Sequence, residues 1–92
     1  MIDPKVMTLL ALAENCSYTK TAKKMALTQP AVTHQIKLLE EDYKIKLFRR
    51  DKKKLVLTPE GEVLVKYARR MSALNDNCRQ AIEDTRMSVH SL

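Results

Sequence analysis

Ninety-two residues suffice for one small domain with a thin core and leave no room for a second domain or a deep catalytic pocket. Ala, Leu, Lys and Glu dominate, Gly occurs once and Trp is absent, a composition of helices packed on helices, so the chain reads as mostly α. The formal charge of +6 is concentrated in one stretch: Lys44, Lys46, Arg49, Arg50, Lys52, Lys53 and Lys54 stand against the single acid Asp51, and the remainder of the chain balances to zero.

In chain order, Asp3 and Pro4 suit an N-cap and a first helical position, and Val6, Leu9, Leu10 and Ala13 then recur at helical spacing, predicting a first helix that ends near Asn15. Ser17 to Thr19 breaks the pattern, with Thr19 as N-cap of a short second helix whose inner face is Ala22, Met25 and Ala26. Leu27 and Thr28 interrupt again. Thr28 caps a third helix with Gln29 and Pro30 in its first turn and an apolar stripe of Val32, Ile36, Leu39 and Tyr43. Helix, tight turn and helix within about 24 residues is the spacing of a helix-turn-helix, although unrelated all-α proteins share it.

Beyond Tyr43, Ile45, Leu47 and Phe48, then the basic run, then Leu55, Val56 and Leu57 predict two short strands around a charged loop. Such a basic stripe on a neutral body suits the phosphate backbone of nucleic acid, where each neutralised phosphate releases condensed counterions; a solvated loop is the plain alternative. Thr58 and Pro59 then cap a helix running to about Arg86. On it Leu64, Tyr67, Met71, Leu74, Cys78 and Ala81 follow the alternating three-and-four spacing of a coiled-coil seam, which predicts a partner helix from Met71 onward. Residues 87–92 lack a pattern and read as a tail.

Other chemistry finds little purchase. Cys16 and Cys78 have no metal-ligand spacing, His34 and His90 stand far apart, and no nucleophile triad or carboxylate pair can be assembled, so neither a metal, a cofactor nor an enzymatic activity is expected. Glu40, Glu41 and Asp42 read as a solvated helix end. The N-terminus has no leader pattern and no apolar run approaches the roughly 20 residues that span a bilayer, so a cytoplasmic protein is expected.

Thr21-Ala22, the run Leu27-Thr28-Gln29-Pro30-Ala31-Val32-Thr33-His34-Gln35-Ile36, then Leu39-Glu40, Leu47-Phe48, Arg50 and Leu57-Thr58-Pro59-Glu60-Gly61 together resemble the N-terminal region of LysR-type transcriptional regulators. The resemblance implies a winged helix-turn-helix over residues 1–58, a three-helix core with a two-stranded wing. It also implies a linker and dimerisation helix over 59–86, and a tail over 87–92 leading to an effector-sensing domain absent from this chain. It further implies a dimer, and a tetramer in the full-length proteins, on double-stranded DNA at an interrupted palindrome. Helix 28–43 would lie in the major groove and wing 49–54 on the minor groove.

The expected DNA-contacting residues are Thr28, Gln29, Pro30, Thr33, His34, Lys37, Arg50, Lys52 and Lys53, with Leu64, Tyr67, Met71, Leu74 and Cys78 in the dimer interface. Two positions depart from the family pattern: Lys44 stands where Gly is usual, and His34 where Arg is frequent. A winged helix serving only protein–protein contact, its basic loop docked on an acidic partner, is the alternative.

Overall fold

A computed structural model describes residues 2–90, apart from the side chain of His90. The order is α1 (Pro4–Asn15), α2 (Tyr18–Met25), α3 (Gln29–Tyr43), β1 (Phe48–Asp51), β2 (Lys54–Leu57) and α4 (Pro59–His90). This is a three-helix core with an antiparallel hairpin wing, Phe48 opposite Leu57 and Asp51 opposite Lys54, followed by a long helix that stretches the molecule to 60 × 26 × 21 Å. Among the described residues no helix is long and apolar enough to cross a membrane.

Each short helix is started by a side chain. Asp3 accepts from the Lys5 amide at 2.9 Å and Thr28 from the Ala31 amide at 3.2 Å, as their positions predict. Helix α2 starts differently from expectation, because Ser17 and not Thr19 is the cap, accepting from the Lys20 amide at 3.1 Å. Asn15 decides this: its Oδ1 accepts from the Ser17 amide at 3.0 Å and from the Thr21 hydroxyl at 2.9 Å, so the turn is wound tight enough for α2 to begin at Tyr18.

All three short helices end on a non-glycine residue in the left-handed region, Cys16 at φ 53°, Ala26 at φ 55° and Lys44 at φ 57°. Ala26 is therefore an exposed cap and not part of the inner face assigned to it. Lys44, where the resemblance implies Gly, still adopts the left-handed turn, at a cost of roughly 1 kcal/mol.

Leu9, Leu12, Ala22, Val32, Ile36, Leu39, Leu47, Leu55, Val65 and Ala68 form the buried core, drawn from every helix and β2. Burying each large side chain contributes about 1.5–3 kcal/mol. Helix α1 sinks deeper than its stripe implies: Thr8 is buried as well, its hydroxyl donating to Gln35 Oε1 of α3 at 2.6 Å. Tyr43, expected in the stripe of α3, is half exposed because that helix overshoots the core at its C-terminal end. The first strand also starts later than predicted. Leu47 precedes it and is fully buried, Ile45 lies half-buried beside the core, and Arg49 and Arg50 belong to β1.

The backbone at Leu47 is a junction. Its N–H donates to Glu40 Oε2 at 2.8 Å, so Glu40 is a structural acceptor and not merely solvated, and its carbonyl accepts from the Thr58 amide at 3.0 Å. Thr58 caps α4 by accepting from the Gly61 amide at 2.9 Å, while its hydroxyl donates to the Lys46 carbonyl. Gly61 must be glycine, since a Cβ there would run into the Leu47 carbonyl oxygen and lie 3.1 Å from Thr58 Oγ1.

Two substitutions test this reading in opposite directions. Gly61→Ala gains about 1 kcal/mol of helix propensity but forces the junction apart, and overpacking against backbone, which costs about 1–3 kcal/mol, wins. Urea unfolding is expected to show a net loss for Gly61→Ala and a gain of about 1 kcal/mol for Lys44→Gly.

Candidate nucleic-acid interface

Because Val32, Ile36 and Leu39 are pulled into the core, the opposite face of α3 is forced outward. Gln29, Pro30, Thr33, His34 and Lys37 line one shallow hollow there, so five of the residues expected to meet DNA share a surface. Thr28 sits at its head as the cap. Gln35, in the same helix, is turned inward to Thr8.

A polar cleft adjoins this hollow where the start of α2, the start of α3 and the wing converge, lined by Cys16, Ser17, Tyr18, Thr19, Gln29, Thr33 and Arg50. Gln29 Nε2 donates to Thr19 Oγ1 across it. Tyr18 is half-buried; burial foremost, and the Glu40 carboxylate next, raise its pKa above the ordinary phenol value, partly offset by the Arg50 cation. Its hydroxyl is therefore neutral at physiological pH.

Arg50 projects from β1 opposite Leu55, while Lys52 and Lys53 form the two-residue tip of the hairpin. Both carry positive φ, 50° and 69°, the signature of a type I′ turn, for which Asn-Gly is the favoured pair. Two lysines here cost roughly 1–2 kcal/mol each in backbone strain. Both residues are exposed, so burial offers little to offset that cost. A local rule broken without structural return is a mark of a functional position.

On α4 the face turned inward is Gly61, Val65 and Ala68, with Leu64, Ser72, Asn75 and Cys78 half-buried. Tyr67, Met71 and Leu74 of the expected seam are exposed, at 51%, 41% and 69%. Arg70 stacks its guanidinium 5.1 Å from the Tyr67 ring centre. Met71 joins two apolar grooves, one walled by Tyr43, Ile45, Val63, Leu64 and Tyr67 and the other by Ile2, Val6, Leu39, Leu74 and Cys78. The helix continues to His90, so residues 87–90 are not an irregular tail; 91 and 92 lie outside the described residues.

Reading the sequence missed Thr19 and Glu40 as contributors. Thr19 carried a signal, a hydroxyl at the start of a helix, and it was spent on the wrong role because the cap lies two residues earlier.

A three-helix core with an exposed α3 face and a basic hairpin beside it defines a winged helix-turn-helix of the DNA-binding class. Residues 5–62 match the family model described as bacterial regulatory helix-turn-helix protein, lysR family, and the chain belongs to that family. It is 39% identical over 92 residues to the uncharacterised HTH-type transcriptional regulator YraN of Bacillus subtilis (strain 168), covering 99% of this chain and 29% of that protein. It is 41% identical over 76 residues to a probable RuBisCO transcriptional regulator of Guillardia theta, covering 83% of this chain and 24% of that protein. The chain thus spans less than a third of the length of these curated relatives.

Among solved structures it resembles the BenM DNA-binding domain in complex with benA site 1 DNA, with a TM-score of 0.85 and 29% identity over 92% of this chain and 96% of that one. It also resembles the CbnR DNA-binding domain in its DNA complex, with a TM-score of 0.83 and 26% identity over 92% and 98% of the two chains.

Proposed function

We propose that this chain binds double-stranded DNA sequence-specifically as a homodimer, with the outer face of α3 in the major groove and the hairpin tip on the flanking minor groove. The observation that carries the reading is the conjunction of the Gln29 to Lys37 hollow, the adjoining cleft that shares Gln29 and Thr33 with it and reaches Arg50 of the wing, and the strained Lys52-Lys53 tip of that same hairpin. Gln29 offers an amide for adenine, Pro30 and Thr33 contact sugar or a thymine methyl, and Thr28, His34 and Lys37 reach bases or phosphate. Arg50, Lys52 and Lys53 hold phosphate at the wing.

The second copy covers the exposed Tyr67, Met71 and Leu74 stripe and the adjoining grooves that reach Leu64 and Cys78, which spaces two α3 helices for an interrupted palindrome. In a longer protein built like its relatives, α4 is the linker towards an effector-binding domain, and tetramers belong to that longer form. We assign the chain no catalytic role, in keeping with relatives that are transcriptional regulators, and place its work in the cytoplasm with its nucleic-acid ligand. The DNA complexes of the BenM and CbnR domains weigh against a module that contacts only protein.

The wing separates binding from stability. Replacing Lys52-Lys53 with Asn-Gly relieves two strained residues, so the unfolding free energy rises by about 2–4 kcal/mol. The same change removes two phosphate contacts, so the slope of log affinity against log salt becomes shallower by roughly 1.8, at about 0.9 per contact. Fluorescence anisotropy across a salt series, beside urea unfolding, measures both; an unaltered slope contradicts the wing assignment.

The dimer is tested at Leu74. A carboxylate in a buried apolar interface is strongly disfavoured, so Leu74→Glu should sediment as a monomer at concentrations where the parent is a dimer. A parent that is monomeric throughout, or a variant that stays dimeric, contradicts the assignment.

A further inference from the structure

The structure assigns Thr19 as a positioning residue for base recognition by Gln29, an inference that rests on the DNA-binding reading above. Gln29 Nε2 donates to Thr19 Oγ1, a contact between α2 and α3 ten residues apart in sequence. A carboxamide has two N–H bonds and one carbonyl oxygen. With one N–H committed to Thr19, the other and Oε1 remain together as a donor beside an acceptor. Adenine presents the complement in the major groove, an N6–H donor beside the N7 acceptor; guanine presents two acceptors, N7 and O6. The Thr19 contact therefore holds Gln29 in the form that selects adenine and rejects guanine.

The anchor is firm where the amide is not. Glutamine has three side-chain torsions, and an unrestrained one loses that freedom on binding. Thr19 sits in the first turn of α2, which is fixed by the Asn15 bonds to the Ser17 amide and the buried Thr21 hydroxyl. Ser17, the neighbouring hydroxyl in the cleft, is occupied as the cap of α2, so Thr19 is the one on which the structure rests Gln29. Thr19 is itself exposed, and its removal leaves the core intact.

The test is selection of bound duplexes from a random-sequence pool by the parent and by Gln29→Ala, Thr19→Val and Thr19→Ser. Gln29→Ala identifies the position it reads as the one whose preference disappears. The inference expects adenine there in the parent, a preference reduced about three- to tenfold by Thr19→Val and retained by Thr19→Ser, with the base preferences at other positions unchanged. A Thr19→Val protein that keeps the adenine preference overturns it, as does one weakened equally on all sequences or a parent that selects guanine at that position. A parent that enriches no sequence overturns the DNA-binding reading, and this inference with it.

Discussion

The backbone at Leu47 is the constraint on which the other parts depend. Its N–H is held by Glu40 at the end of α3, its carbonyl by the Thr58 amide at the start of α4, and its side chain is fully buried in the core. The wing begins one residue later. One peptide segment therefore sets where the hairpin lies relative to the recognition face and in which direction the long helix departs. Gly61 allows the approach because nothing projects from it, and the buried Val65 and Ala68 extend the contact along α4. A basic loop on a mobile tether would meet phosphate at random; one clamped at both ends presents its charges in register with α3.

Stability is given up where non-glycine residues take left-handed backbone. Lys52 and Lys53 occupy left-handed backbone at the hairpin tip, and Lys44 does so at the end of α3. Each costs roughly 1 kcal/mol or more against glycine, a sizeable share of the 5–15 kcal/mol that a typical domain has in hand. Lysine at the tip is intelligible if its charge is needed there, because both residues are exposed and neither side chain is among the hydrogen-bonded or ion-paired groups of the described residues. At Lys44 the left-handed backbone would suit glycine, and the turn forms with lysine because the Lys44 amide still finds the Glu40 carbonyl.

Much of this was legible in the sequence because its signals are local. Apolar spacing placed α1, α3 and, Tyr43 apart, the inward residues of α3, and Thr28 and Thr58 marked their helix starts through cap chemistry that needs only neighbours in the chain. What failed was set by tertiary contact. Asn15 moved the start of α2 to Ser17 by binding Thr21, six residues away, and that bond freed Thr19 for Gln29. Glu40 looked solvated because its partner, the Leu47 amide, is brought to it only by the turn. On α4 two adjacent stripes share a helix, and periodicity revealed the more apolar, exposed one; in the inward stripe Val65 is flanked by the small residues Gly61 and Ala68, which carry little hydrophobic signal but permit close packing. The extension to His90 escaped notice because a helix with an exposed surface all round has no pattern to read.

The central claim is that the exposed face of α3, the start of α2 and the hairpin tip act as one surface for DNA. Amide chemical shifts of the labelled protein, followed while a selected duplex is added at low salt, address it residue by residue. The account predicts perturbations concentrated at residues 17–19, 28–37 and 49–54, with the exposed outer face of α4 unaffected. Perturbations centred instead on the apolar grooves around Tyr67 and Met71, or none at any duplex concentration, would contradict it.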